Sequence, residues 1–141
     1  MNVEELSAEV VDTAFHLHRG LGPGLLESVY EAVLTKLLQD RGFAVTRQQP
    51  IPVEFSGVRL DEGFRADLVV EARLVIELKS VERLMPVHAK QLLTYLRLMH
   101  LPLGLLLNFG ASTFKEGVQR IVSRHQDFTA SRLRINQPPS H

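Results

Sequence analysis

The chain has 141 residues, 45% of them hydrophobic, which suits one compact domain able to bury a core without disulfides or a structural metal. It has no cysteine, which excludes a disulfide framework, a thiolate nucleophile and a cysteine-based zinc or iron-sulfur site. Lys plus Arg and Asp plus Glu number 16 each, so the overall basic excess of a protein that coats DNA non-specifically is missing.

Asn2 with Glu5 three residues later suits a capped helix start, and Leu6, Val10, Ala14 and Leu17 recur at helical spacing, which predicts a helix over about residues 3–19. Gly22-Pro23-Gly24 breaks it, because proline cannot donate to a continuing helix and glycine tolerates turn dihedrals. A second helix over residues 25–41 follows from Leu26, Val29, Tyr30, Val33, Leu34, Leu37 and Leu38, with Gly42 as its stop. From Phe43 the period changes to two. Phe43, Val45, Ile51, Val53 and Phe55, interrupted by Pro50, Pro52 and Gly57, predict short strands at a sheet edge. Two fuller strands over about residues 63–70 and 74–80 should form an antiparallel hairpin. Leu92, Leu93, Tyr95, Leu96 and Met99 mark a helix over residues 88–99, and the apolar run 103–109 suits a buried strand parallel to the hairpin's second strand. Val118, Ile121 and Val122 predict a last helix over residues 114–124, and residues 136–141, with Pro138-Pro139, read as a flexible tail. The fold class expected is α/β, one mixed domain over residues 1–135.

Chemistry concentrates in the hairpin. Period-two alternation puts Phe64, Ala66, Leu68 and Val70 on one face and Arg65, Asp67 and Val69 on the other, while Glu77 and Lys79 share a face of the partner strand. A three-residue loop, Glu71-Ala72-Arg73, sets Asp67 opposite Glu77 and pairs Val69 with Val75; a two-residue loop would set Asp67 opposite Leu78. Opposed carboxylates need a cation, a shared proton or solvent. Mg²⁺, a hard ion that takes a few carboxylates plus water and phosphate oxygens, matches Asp67 and Glu77, and Lys79 could orient or deprotonate an attacking water. An ordinary solvated strand face with a Lys-Glu pair fits the same triplet. Glu27 falls angularly between Leu34 and Leu38, which turns it toward the core or its edge and within reach of the same metal; an acid favoured by the first turn of a helix is the plainer reading.

These residues carry a resemblance. Gly24-Leu25-Leu26-Glu27-Ser28-Val29-Tyr30 is the GxxExxY pattern, and the chain from about Glu5 to Val122 resembles the GxxExxY protein family, a branch of the PD-(D/E)XK nuclease superfamily. Phe64-Arg65-Ala66-Asp67 and Ile76-Glu77-Leu78-Lys79 are similar to the superfamily's acidic residue and its E-x-K strand, with Ala66 where the proline of the name would stand. Gln91-Leu92-Leu93-Thr94-Tyr95 resembles the QxxxY motif of RecB-type nucleases. The resemblance implies a restriction-endonuclease-like mixed sheet core of helix, three or more strands, helix and strand, here with an extra N-terminal helix and a C-terminal helix. It implies a nuclease that uses Mg²⁺ or Mn²⁺ on nucleic acid, DNA before RNA. Glu27, Asp67 and Glu77 would bind the metal with the backbone carbonyl of Leu78, Lys79 would serve the attacking water, and Gln91 and Tyr95, on one helix face, would position the lysine or touch substrate. The alternative is a catalytically weak or inactive module of the same fold that binds nucleic acid or a partner protein.

His88 could share the face of Gln91 as a phosphate contact or supporting group, or cap its helix; His16 and His18, about 200° apart on a helix, are not a metal pair. Neither a phosphate-binding glycine loop nor a Ser-His-Asp arrangement is found. Residues 1–40 have a net charge of −5 and residues 115–134 of +3, so the latter suit either a phosphate backbone or plain solvation. The longest strongly apolar run, residues 101–107, is far short of the roughly 20 needed to cross a bilayer, and the acidic N-terminus lacks the apolar stretch of a signal peptide. A cytoplasmic location is expected, with a homodimer or a partner protein supplying further recognition surface.

Overall fold

The computed structural model describes residues 1–124. Two helices, α1 (Val3–Leu21) and α2 (Glu27–Asp40), precede strands β1 (Val45–Phe55), β2 (Val58–Val70) and β3 (Leu74–Lys79); helix α3 (Pro86–Met99), strand β4 (Leu103–Asn108), a 3-10 turn (Lys115–Gly117) and strand β5 (Val118–Val122) complete them. The five strands lie in the order β1-β2-β3-β4-β5. Only β3 and β4 run parallel; every other neighbouring pair is antiparallel. Helices α1 and α2 pack on one face and α3 on the other. Among the described residues no helix is long and apolar enough to cross a membrane.

Local chemistry accounts for the helix starts. The Asn2 side chain accepts from the Glu5 amide at 2.8 Å and Glu5 accepts from the Asn2 amide at 3.1 Å, the capping box expected from their spacing. Leu6, Val10, Ala14 and Leu17 then bury one stripe of α1 against Leu34 and Leu38 of α2 and the β3 and β4 side chains Ile76, Leu105 and Leu107. On the other face Leu92, Tyr95 and Leu96 of α3 cover Val69, Val75 and Leu106.

Two expectations need correction. Residues 114–124 form no α-helix: Gly117 lies where a Cβ would sit 2.3 Å from the Asn108 carbonyl oxygen, and the following Val-Gln-Arg-Ile-Val pairs antiparallel with β4. A spacing of i, i+3, i+4 over so few residues fits both structures, and the β-branched side chains favour the strand. The edge strands expected after Phe43 are one strand of 11 residues, paired with β2 through a turn at Ser56-Gly57. Its prolines are tolerated because β1 is an edge with solvent on one side. The tail expected at residues 136–141 lies outside the described residues.

The segment between α1 and α2 is fixed by a tyrosine. Tyr30, fully buried, donates its hydroxyl proton to the Gly22 carbonyl at 2.6 Å and accepts from the Leu25 amide at 3.1 Å, and its ring stacks on Phe109 with centroids 4.3 Å apart. Gly24, at φ +87°, lets the chain turn there, and its amide reaches the Phe109 carbonyl at 3.3 Å. Tyr30→Phe keeps the stack but leaves the Gly22 carbonyl and Leu25 amide without this partner. It is expected to lower unfolding free energy by about 1–3 kcal/mol, read by chemical denaturation, whereas Tyr30→Ala should cost more because a cavity is added.

Candidate active site

The hairpin loop is the three-residue one. Val70 pairs with Leu74, Val69 with Val75 and Leu68 with Ile76, and Glu71 and Ala72 adopt positive φ of 54° each. Glu71 holds this turn by exchanging bonds with Ala44: its amide donates to the Ala44 carbonyl at 2.8 Å and its carboxylate accepts from the Ala44 amide at 2.7 Å. The ladder then stops. One step beyond Leu68 and Ile76, where Asp67 and Glu77 would pair, side chains replace the backbone ladder. The Asp67 amide donates to Glu77 Oε1 at 3.0 Å, and the Leu78 amide donates to Asp67 Oδ2 at 2.8 Å.

The opening coincides with a slip in the alternation of β2. Phe64 and Ala66 pack with Tyr95 on the α3 side, whereas Leu68 and Val70 pack with α1 and α2, so these residues do not share one face as period two predicts. The neighbouring strand is irregular at the same level, since Gln48 has φ +50°. A left-handed residue beside the slip is a bulge-like device that re-aims a side chain. Here the side chain is Asp67.

Asp67 lines a cavity of about 230 Å³ with Glu27, Ser28 and Glu31 of α2, Gln48 of β1 and Leu78. Glu27, the first residue of α2, is exposed at its rim. Glu31, one turn on, is buried and accepts from Arg47 Nε and Nη2 at 3.1 and 2.9 Å and from Gln48 Nε2, while the same Gln48 amide group lies 3.4 Å from Asp67 Oδ1. Sequence reasoning missed Glu31, Arg47 and Gln48. The i+4 spacing of Glu31 from Glu27 was visible, but no local pattern brings β1 beside α2.

Glu77 is 6% exposed. Burial, and then the charge of Asp67, push its carboxyl up to about 8, against the downward pull of the Asp67 amide and of Lys79. Lys79 is half-buried, and its ammonium makes no hydrogen bond or ion pair with a described residue. The segment after it is pinned by Asn108, whose side chain accepts from the Val81 and Gly110 amides at 3.0 Å each and donates to the Val81 carbonyl at 2.8 Å. Gly110 admits this approach, since a Cβ there would lie 2.3 Å from the Val81 carbonyl oxygen. Tyr95 is buried against Phe64, ring centroids 4.6 Å apart; burial raises its phenol pKa, and the charges of Glu77 and Asp67 add to the shift. Its motif partner Gln91 is exposed on α3. His88 caps that helix: its Nδ1 accepts from the Met85 amide at 3.0 Å. An apolar hollow of about 800 Å³ between α1 and β5 includes neither Asp67 nor Glu77.

The sequence model of the PD-(D/E)XK nuclease superfamily matches residues 4–121. The chain belongs to that superfamily. Its mixed five-stranded α/β core is consistent with the restriction-endonuclease-like fold, and the match supports a nuclease-type function in general. Comparison with curated proteins and with solved structures gives no match. Superfamily members usually use divalent metals. Among the described residues no three His, Cys, Asp or Glu side chains are gathered closely enough to hold an ion. The donors at the opening are nonetheless all oxygens, and the two carboxylates meet without a cation among the described residues bonded to either. That set fits a hard divalent ion that takes its remaining ligands from water and substrate.

A carboxyl whose pKa is raised on folding keeps its proton in the native state at pH values where the unfolded chain has lost it. Without metal, stability should therefore fall as pH rises from about 4.5 to about 8, by on the order of a few kcal/mol, and Glu77→Gln should flatten that slope in thermal unfolding at a series of pH values. Asp67→Asn relieves the like charge and keeps an acceptor for the Leu78 amide. In EDTA it should be as stable as the native protein or more so by about 1 kcal/mol, whereas Asp67→Ala should be less stable because the Leu78 amide loses its partner.

Proposed function

We propose that this chain is a metal-dependent nuclease of the GxxExxY branch that hydrolyses phosphodiester bonds, those of DNA in the first place. The observation that carries the reading is the opening of the β2–β3 ladder, where Asp67 and Glu77 accept backbone protons from across the hairpin and Lys79 follows without a bonded partner among the described residues. A structural Asp-Glu-Lys triplet would pair its charges. This one leaves two acids in contact and a cation unspent, an arrangement that suits a site awaiting an ion and an anionic substrate.

Asp67 and Glu77 would hold Mg²⁺ or Mn²⁺ together with the Leu78 carbonyl, and Glu27 would join them from the cavity rim. Such an ion, when bound, supplies a water acidic enough to attack at neutral pH and stabilises charge on the phosphate. Lys79 would donate from Nζ to a phosphate oxygen or hold the attacking water in line. Glu77 would give up its proton before binding, so that ion affinity rises with pH through about 8. Tyr95 and Gln91 would flank the lysine, the phenol from the α3 core and the amide from its surface. The pattern's tyrosine has a definite part too, since the hydroxyl of Tyr30 fixes residues 22–25 and with them the start of α2 at which Glu27 stands.

The exposure of Glu27 and the lack of a three-ligand cluster among the described residues favour a second reading, a module that keeps the fold and binds nucleic acid or a partner protein without useful turnover. One assay separates the two. With Mn²⁺ or Mg²⁺ the protein is expected to cut at least one of single-stranded, duplex and branched DNA. EDTA should abolish the cleavage and Lys79→Ala should slow it by about 100-fold or more. Absence of cleavage on every substrate, with no divalent ion bound by calorimetry, overturns the enzyme reading; binding without cleavage that Lys79→Ala leaves unchanged supports the module.

A further inference from the structure

The formal charge of zero conceals a division between the two faces of the sheet. Helix α1 has Glu4 and Glu5 in its first turn and α2 begins at Glu27, as the helix dipole favours. Helix α3 has no acid in its first turn. The sequence has no Asp or Glu between Glu82 and Glu116, a stretch that contains Arg83, Lys90, Arg97 and Lys115.

The cations differ in their engagement as well. Lys36, Arg41, Arg47, Arg59, Arg65 and Arg120 are held in ion pairs, and Arg73 donates to the Met1 carbonyl. Arg83, Lys90 and Arg97 are exposed and have no hydrogen-bond or ion-pair partner among the described residues. On α3, Val87, Lys90, Thr94 and Arg97 fall within about 80° of one another, an exposed stripe opposite the buried Leu92 and Leu96. Arg97, in the last turn, is also where the helix dipole favours a cation, but Lys90 near the start and Arg83 before it gain nothing from the dipole.

Topology relates the stripe to the site. Strands β3 and β4 are parallel, so α3 begins at the Lys79 end of β3 and runs back to the start of β4. Arg83 therefore stands at the site's end of the sheet. Lys90 follows, and Arg97 lies about 10 Å farther along the helix, at 1.5 Å per residue.

We propose that the outer face of α3 is a track for the sugar-phosphate backbone of the nucleic acid, with Arg83, Lys90 and Arg97 contacting successive phosphates of a strand that leaves the Asp67–Glu77 site. The inference rests on the nuclease reading and adds the direction in which substrate extends. It differs from the basic segment 115–134 that charge counting along the sequence singles out.

The test is equilibrium binding of labelled single-stranded and duplex DNA in EDTA, followed by fluorescence anisotropy over a series of salt concentrations. The Arg83→Gln, Lys90→Gln, Arg97→Gln triple variant is compared with Arg19→Gln, Lys115→Gln, Arg124→Gln, which removes the same charge elsewhere. The α3 variant should lose about 10-fold or more in affinity at low salt, and the slope of log K against log salt should become shallower by about 2–3; the control should stay close to the native protein. Far-ultraviolet circular dichroism and melting temperature should not change, and the single variant Lys90→Glu, which reverses one charge, should weaken binding more than Lys90→Gln. Equal losses from both triples, or none from the α3 triple while the native protein binds, would overturn the track and leave the nuclease reading standing. A native protein that binds neither form of DNA would overturn the track, and the nuclease reading falls with it only if the cleavage assay with Mn²⁺ or Mg²⁺ also fails. Competition by polyglutamate as effective as that by DNA would overturn the track in favour of an acidic protein partner.

Discussion

Asp67 and Glu77 each accept a backbone proton from across the hairpin, and the rest of the molecule is arranged around keeping that exchange in place. Opposed carboxylates on a sheet repel, and a regular ladder would hold them apart from any compensating donor. By ending the ladder at Leu68 and Ile76, the hairpin frees the amides of Asp67 and Leu78 for the two side chains. The repulsion is thereby tolerated rather than removed, as the raised pKa of Glu77 reflects. Burial and the neighbouring Asp67 charge both favour the protonated form of the Glu77 carboxyl.

Three supports, from different parts of the chain, converge on the opening. Tyr30 and Phe109 stack beneath the turn that starts α2, so that helix presents Glu27 and Glu31 beside Asp67. Glu31, held by Arg47, bonds the Gln48 side chain and keeps it near Asp67. Asn108 ties the chain just after Lys79 to the end of the neighbouring strand, which fixes the lysine's backbone while its ammonium stays unengaged. The site is thus built on sheet and helix ends, which are stiffer than a loop alone, and its side chains are held by second partners. The charge division across the sheet follows the same layering: most cations around α1, α2 and β1 are held by acids, Arg19 excepted, and those along α3 have no acid partner among the described residues.

Sequence alone determined those features that depend on near neighbours. The capping box at Asn2, the break at Gly22 and Gly24, the two long amphipathic helices and the three-residue loop with its Val69–Val75 pair could all be read from composition and spacing, because each is set by contacts within a few residues or by one turn, whereas Glu27, Asp67, Glu77 and Lys79 were singled out by their resemblance to a family pattern. The last segment misled, since the same apolar spacing serves a short helix or an edge strand and only the free edge of β4 decides between them. The alternation in β2 misled for a related reason: period two assumes an unbroken ladder, and the slip at Asp67 lies where Gln48 on the neighbouring strand is left-handed and the Leu78 amide bonds the Asp67 side chain. Tertiary structure alone made the buried Glu31 and Asn108 and the exposed Gln48 neighbours of the site, and it set the acidic α1–α2 segment and the acid-free α3 segment on opposite faces of the sheet. Electrostatics and hydrogen bonding at such a site depend on distances between segments far apart in the chain, and no local pattern encodes those distances.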